Sequence, residues 1–280
     1  MLWEQMTSFL KSWFIYPDLS WGLMLIGLGL AIVFAAIWLL GYWPPIFKKL
    51  WFWPVLVVGA FLSVLAVVFI QIPLQYYSSE VLLHFWSGET LYNWLLLAAI
   101  PQLLVSGLAQ EGAKMVPMVA WWWRSGKNID PKMGLFIGAM AGAGLGIFEA
   151  FWVHNQVFQA GWTVQVLQTG GFLGIAPFWE RFFTLGFHIG VSALAGYGLA
   201  KGKGWQFYLI ASGLHALLNW GVALLQKGYF SVVQLEVYGA VIAVVVMAVV
   251  MILRWRKRQE EVQIEPIEPT EPIKPVEIDI

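Results

Sequence analysis

The chain has no cysteine and very little charge. Without thiols there are no disulfides, no thiolate catalysis and no Cys-ligated zinc. Charged residues make up 11% of the 280 positions, against about 25% in an ordinary soluble domain. Sixteen basic and sixteen acidic residues cannot cover the surface of a soluble protein of this size, so a soluble enzyme is excluded. The formal net charge is zero and no basic face appears, which argues against a nucleic-acid partner. The zincin motif HExxH is absent. The N-terminus, MLWEQMTSFLKSWF, has Glu4 ahead of Lys11 and no basic run leading into a short apolar one, so it does not read as a signal peptide. No inverted repeat of span pattern is visible, which counts against a transporter.

What is present is apolar. Hydrophobic residues make up 60% of the chain, and 18 Trp and 9 Tyr supply rings suited to bilayer interfaces. This composition predicts an all-α, multi-pass protein of the lipid bilayer. Stretches long enough to cross it fall at 19–41, 52–73, 91–123, 133–153, 182–200, 205–226 and 232–253, giving seven transmembrane helices. The third stretch contains Pro101 and Pro117 and reads either as one kinked helix or as a short re-entrant piece followed by a span.

Basic residues set the orientation. Seven crossings place Lys48, Lys49, Arg124, Lys127, Lys132, Lys201, Lys203, Arg254, Arg256, Lys257 and Arg258 on one side. Lys11, Arg181 and Lys227 lie on the other. The positive-inside rule then gives N-terminus out and C-terminus in, with the plasma membrane as the expected location. The expected layout is an extracytoplasmic segment over 1–18, a helical bundle over 19–253 with its chemistry on spans 91–226, and a cytoplasmic tail over 254–280. In that tail Pro266, Pro269, Pro272 and Pro275 recur at the polyproline period among acidic residues, which predicts a disordered segment open to a cytoplasmic partner.

Ionisable residues inside a span cost roughly 2.5–3.5 kcal/mol each on insertion scales, so each needs a reason. Gln110, Glu111 and Lys114 lie on the third span and Glu149 on the fourth. His188 lies on the fifth, and His215 and Asn219 on the sixth. Glu111 and Lys114 share a helix face at i, i+3, and Gln110 reaches the same Lys at i, i+4. This trio alone reads equally well as an internal charge pair. Gly134, Gly138, Gly142 and Gly146 form a stripe that lets another helix approach, with Glu149 one turn beyond. Thr184, His188 and Ser192 form a polar stripe on the fifth span, and Ser212, His215 and Asn219 another on the sixth. Glu236 reads as interfacial, without a role. A carboxylate that activates water, a His that orients it or protonates an amine, and an Asn that holds an oxyanion together suit peptide-bond hydrolysis. Two His and a carboxylate suit Zn²⁺ equally well.

Four segments carry a resemblance. AQEGAK (109–114), GAGLGIFEA (142–150), FHIGVSALAGYGLA (187–200) and GLHALLNW (213–220) resemble, in order and on successive spans, the motifs of the PrsW-type intramembrane proteases, within the superfamily of the CAAX-prenyl endopeptidases and Abi proteins. Two positions depart from the pattern: Gln110 stands where the first Glu of a Glu-Glu pair is expected, and Ala150 where an Asn is expected. The resemblance implies an intramembrane endopeptidase acting on membrane-anchored proteins. It makes Glu111 the base, Lys114 its charge partner, Glu149 a second carboxylate and Asn219 the oxyanion donor. His188 and His215 orient water or, with Glu149, bind zinc in a metalloprotease version. The alternatives are a non-catalytic scaffold of the same superfamily, favoured by Gln110, and a proton-coupled transporter.

Overall fold

A computed structural model describes residues 2–43 and 48–256. The Pro/Glu-rich tail, with Lys257, Arg258 and Lys274, lies outside the described residues. Among these, every regular element is helical. In chain order they are α1 (Leu2–Ser12), α2 (Trp21–Leu39), α3 (Phe52–Ala66), α4 (Ile72–Phe85), α5 (Gly88–Asn93) and α6 (Leu95–Ala98), then α7 (Ile100–Arg124), α8 (Pro131–Gln159), α9 (Val164–Gly170), α10 (Phe172–Ala200), α11 (Gly204–Gln226) and α12 (Val232–Trp255). Among the described residues, seven helical runs are long and apolar enough to cross a membrane: Trp21–Tyr42, Phe52–Phe85, Leu95–Arg124, Pro131–Gln159, Phe172–Ala200, Gly204–Gln226 and Val232–Trp255. Large apolar side chains such as Leu25, Ile32, Phe61, Val241 and Val245 point outward, as hydrocarbon surroundings require.

Local chemistry starts several of these helices. Asp130 caps α8, accepting from the amides of Lys132 and Met133, with Pro131 at the first position where no N–H is needed. Ser231 and Gln234 form a capping box at the head of α12.

The structure corrects several expected boundaries. The second span does not stop at 73. α3 runs through a π-helical turn, Val67–Gln71, directly into α4. Of the two readings left open for 91–123, the structure has short helices followed by a long one: the chain breaks at Trp94 and Ala99 into α5, α6 and then α7. Pro101 sits in the first turn of α7, and Pro117 lies inside it without ending it. The fifth helix starts at Phe172, ten residues before the expected 182, and carries Pro177 within it. Arg181 is therefore part of a helix, and it drops out of the loop charges that set orientation. The segment ahead of α2 packs onto the bundle. Trp13 stacks on Trp152 of α8 with ring centroids 4.9 Å apart, and Met6 packs with Val64 and Val68.

Two helices form the centre. α8 and α10 are mostly buried, and α2, α3, α7, α11 and α12 pack around them. The α8 glycine stripe explains how closely they pack. A Cβ at Gly138 would run into the backbone carbonyl of Ser192, and one at Gly142 into that of His188. On the opposite face of α8, Gly144 lies just as close to the carbonyl of Leu56 on α3. Small residues thus bring three backbones together without a side-chain layer between them. The same contact fixes the height of His188 against α8, about two turns from Glu149.

Candidate active site

Glu111 and Lys114 meet one turn apart on α7, with Lys114 Nζ donating to Glu111 Oε1 at 2.6 Å. Both side chains are essentially out of solvent, 1% and 0% exposed. His215 of α11 reaches the same oxygen, with Nδ1 2.8 Å from Glu111 Oε1. His188 of α10 lies between two helices. Its Nδ1 is 3.2 Å from Lys114 Nζ, and its Nε2 is 3.0 Å from Glu149 Oε2 on α8. Arg181 closes the chain, its Nη1 3.1 Å from that Glu149 oxygen and its guanidinium paired with Glu180. Thr184 Oγ1 donates to Glu180 Oε1 at 2.9 Å. One chain of charge-assisted bonds therefore crosses four helices.

The bonding fixes the imidazole tautomers. An ammonium only donates, so His188 accepts at Nδ1 and donates its Nε2–H to Glu149. A carboxylate only accepts, so His215 donates Nδ1–H to Glu111, which leaves its Nε2 lone pair unused by that contact. The two imidazoles lie with centroids 5.3 Å apart.

A cavity of about 120 Å³ adjoins this chain. A water needs on the order of 10–15 Å³ of such space, so it admits several. Gln110, Glu149, Glu180, Arg181, Thr184, His188, His215, Asn219 and Glu236 line it. Glu111 and Lys114 do not, being sealed behind His215 and His188. Of the two expected polar stripes, Thr184, His188, His215 and Asn219 reach the cavity. Ser192 packs instead against the α8 glycines, and the Ser212 backbone against Gly107.

Gln110 departs from its expected contact. Its amide turns away from Lys114, and Nε2 donates to Gln71 Oε1 at 3.0 Å and to Ser106 Oγ at 3.3 Å. Its buried Oε1 has no protein partner. Asn219 is held loosely, its Nδ2 3.5 Å from Ser106 Oγ.

The expected metal set of His188, His215 and Glu149 is not the one the fold assembles. The compact donor group is Glu111, His188 and His215, with ligand atoms within 4.8 Å of one another. Lys114 already bonds two of those three residues, at Glu111 Oε1 and His188 Nδ1. Its ammonium is a fixed cation on the lone pairs a divalent ion would use. Zinc would have to displace it, so the donor set as arranged does not fit that metal.

Sequence reasoning missed Glu180, Arg181 and Glu236. Arg181 was read as a loop charge and Glu236 as interfacial without a role, yet both line the cavity. A signal existed, since Arg181, Thr184 and His188 share one face at i, i+3, i+7. It was hidden by starting the span at 182, just past Arg181, when the helix begins at Phe172.

Comparison with known proteins adds no relative. No family model, curated protein or solved structure matches the chain. The likeness to PrsW-type proteases rests on the four sequence segments alone.

Proposed function

We propose that this protein is an intramembrane endopeptidase that hydrolyses peptide bonds of membrane-anchored proteins. One observation carries the reading: His215, bonded through Nδ1 to the buried Glu111, lines a cavity that has room for water inside the bundle. A carboxylate that orients a neutral imidazole, with the imidazole's other nitrogen free, is the arrangement of a general base. The base is then His215 rather than Glu111, and Glu111 and Lys114 are positioning residues.

In this mechanism a cavity water gives one proton to His215 Nε2 and offers its second to the unpartnered Gln110 Oε1. The water oxygen bonds to the scissile carbonyl carbon. The carbonyl oxygen becomes an oxyanion, held by the Asn219 amide and the Arg181 guanidinium. When the C–N bond breaks, His215 returns its proton to the leaving amine, and an acid and an amine are released. His188, Glu149 and Arg181 keep the cavity's charges paired. A helix about 10–12 Å across is too wide for a cavity of about 120 Å³, so on this reading a membrane-anchored substrate unwinds locally before it is cut. The N-out, C-in orientation and the plasma membrane remain part of this proposal.

A scaffold reading has one observation in its favour, since Glu111, Lys114, His188 and Glu149 are all paired within the protein. Such a network can simply hold helices together. The deciding experiment is cleavage of single-span substrates in proteoliposomes by wild type, His215→Gln and Glu111→Gln, with and without chelator. The protease reading expects both variants to lose at least ~10²-fold in rate while remaining inserted. No cleavage by wild type, or unchanged cleavage by His215→Gln, leaves the scaffold reading in its place.

A further inference from the structure

A second polar feature runs between α4 and α7, away from the charges. Gln71, Gln75 and Ser79 fall at i, i+4, i+8 on the π-turn and α4, and Gln102, Ser106 and Gln110 fall at the same spacing on α7. The two stripes face each other. Gln102 Nε2 donates to Ser79 Oγ at 2.9 Å and to the Gln75 carbonyl at 3.2 Å. Gln75 Nε2 donates to the Gln102 carbonyl at 2.9 Å. Gln71 Nε2 donates to Gln75 Oε1 at 3.4 Å, and Gln110 Nε2 to Gln71 Oε1 at 3.0 Å. Ser106 branches from Gln110 to Asn219 in the cavity. The eight residue steps from Gln71 to Ser79 span about 12 Å at 1.5 Å per step.

Both ends of this ladder open onto space. Its outer end, Gln75 and Ser79, lines a groove of about 440 Å³ shared with Gln5 and Phe9 of α1. Its inner end, Gln110, lines the cavity of the candidate site. Along it, Gln102 Oε1 and Gln110 Oε1 are buried acceptors with no protein donor. A buried acceptor left unpaired costs about 1–3 kcal/mol, so each calls for a donor. The side-chain amides of Gln71, Gln75, Gln102 and Gln110 donate to other rungs, which leaves water as the donor for these two oxygens. Helix adhesion needs one or two such contacts and no unpaired ones, whereas a file of neutral donors and acceptors gives water continuous partners without binding ions.

We infer that this amide ladder is a water path, carrying water from the groove beside α1 to the buried cavity. The path stands whether or not the site hydrolyses peptides, and its test needs no turnover.

The absence of native cysteine makes that test direct. Single Ser79→Cys, Ser106→Cys and Ser63→Cys variants are near-isosteric. Their reaction with methyl methanethiosulfonate, small and uncharged so that entry does not depend on carrying an ion, is timed in proteoliposomes. A thiol reacts as its thiolate, which forms only where water or polar groups support the charge. Ser63 and Ser106 are both buried, at 0% and 4% exposure, so depth alone does not separate them. Ser63 packs off the path, bonded to the Gly59 carbonyl. Ser79→Cys should react fastest, and Ser106→Cys at least ~10-fold faster than Ser63→Cys. Adding Gln75→Leu should slow Ser106→Cys at least ~10-fold and leave Ser79→Cys unchanged, which also reports a folded protein; Gln71→Leu serves if Gln75→Leu fails to insert. If Ser106→Cys reacts no faster than Ser63→Cys, the ladder is dry and the inference is overturned. If Ser106→Cys reacts fast but neither plug slows it, water arrives by another route and the inference is equally overturned.

Discussion

Lys114→Met is the sharpest perturbation the structure offers, because it removes a buried charge and keeps the side-chain volume. Lys114 Nζ lies 2.6 Å from Glu111 Oε1, and neither side chain sees solvent. At an effective dielectric of about 20, two unit charges at that distance attract by about 6 kcal/mol before desolvation is counted. Much of that attraction offsets the cost of burying both ions, so the intact pair contributes little net stability. Breaking it is another matter. The variant leaves Glu111 as a buried carboxylate with one remaining donor, His215 Nδ1, and leaves His188 Nδ1 without its own. Removing one partner of such a pair costs about 3–5 kcal/mol, which is two to three and a half orders of magnitude in the folding equilibrium. Lys114→Met/Glu111→Leu removes both charges and should recover most of the loss, giving a coupling of at least about 2 kcal/mol in a double-mutant cycle. The cycle is measured by reversible unfolding in mixed micelles. Additive single effects, or a Lys114→Met cost below about 1 kcal/mol, would refute a dry, mutually dependent pair and place water beside Lys114.

The remaining predictions concern packing, chemistry and topology. Gly138→Leu should force α8 and α10 apart at the Ser192 carbonyl, costing at least about 1–3 kcal/mol and appearing as faster proteolysis of inserted protein; Gly29→Leu, with open space at its Cβ, should leave digestion unchanged. On the hydrolase reading, Asn219→Ala should lower kcat by roughly 10²–10³ with little change in KM, since an oxyanion donor acts in the transition state. A rise in KM alone would make Asn219 a substrate contact instead. Reporter fusions after Lys49, Arg124 and Arg256 should all read cytoplasmic. An external reading after Arg124 alone would mean that α5 to α7 do not make a single crossing.

Periodicity and composition reach part of this protein. The seven crossings, the glycine stripe of α8 and the pairing of Glu111 with Lys114 are all properties of one helix at a time. A run of about 20 apolar residues, a four-residue glycine repeat and an i, i+3 pair are readable from spacing because helix geometry is local. Where the spacing argument slipped, it slipped at ends. Arg181 looks like the outer boundary of a span until α10 is seen to begin at Phe172, after which the same side chain becomes the partner of Glu149.

The tertiary structure decided which side chains share space, since that depends on the rotation and height of each helix against its neighbours, which no single segment encodes. Gln110 and Glu111 are adjacent in sequence, yet one turns to Gln71 and the cavity while the other is sealed behind His215 and Lys114. Gly142 against the His188 carbonyl fixes the height of α10 on α8, and that height brings His188 within reach of both Lys114 and Glu149. The sequence alone determined that charges would be buried in a membrane bundle. Only the packing of backbones at glycine contacts decided which charges meet, because a shift of one helical residue, about 1.5 Å along the axis and 100° around it, would exchange every partner in the network.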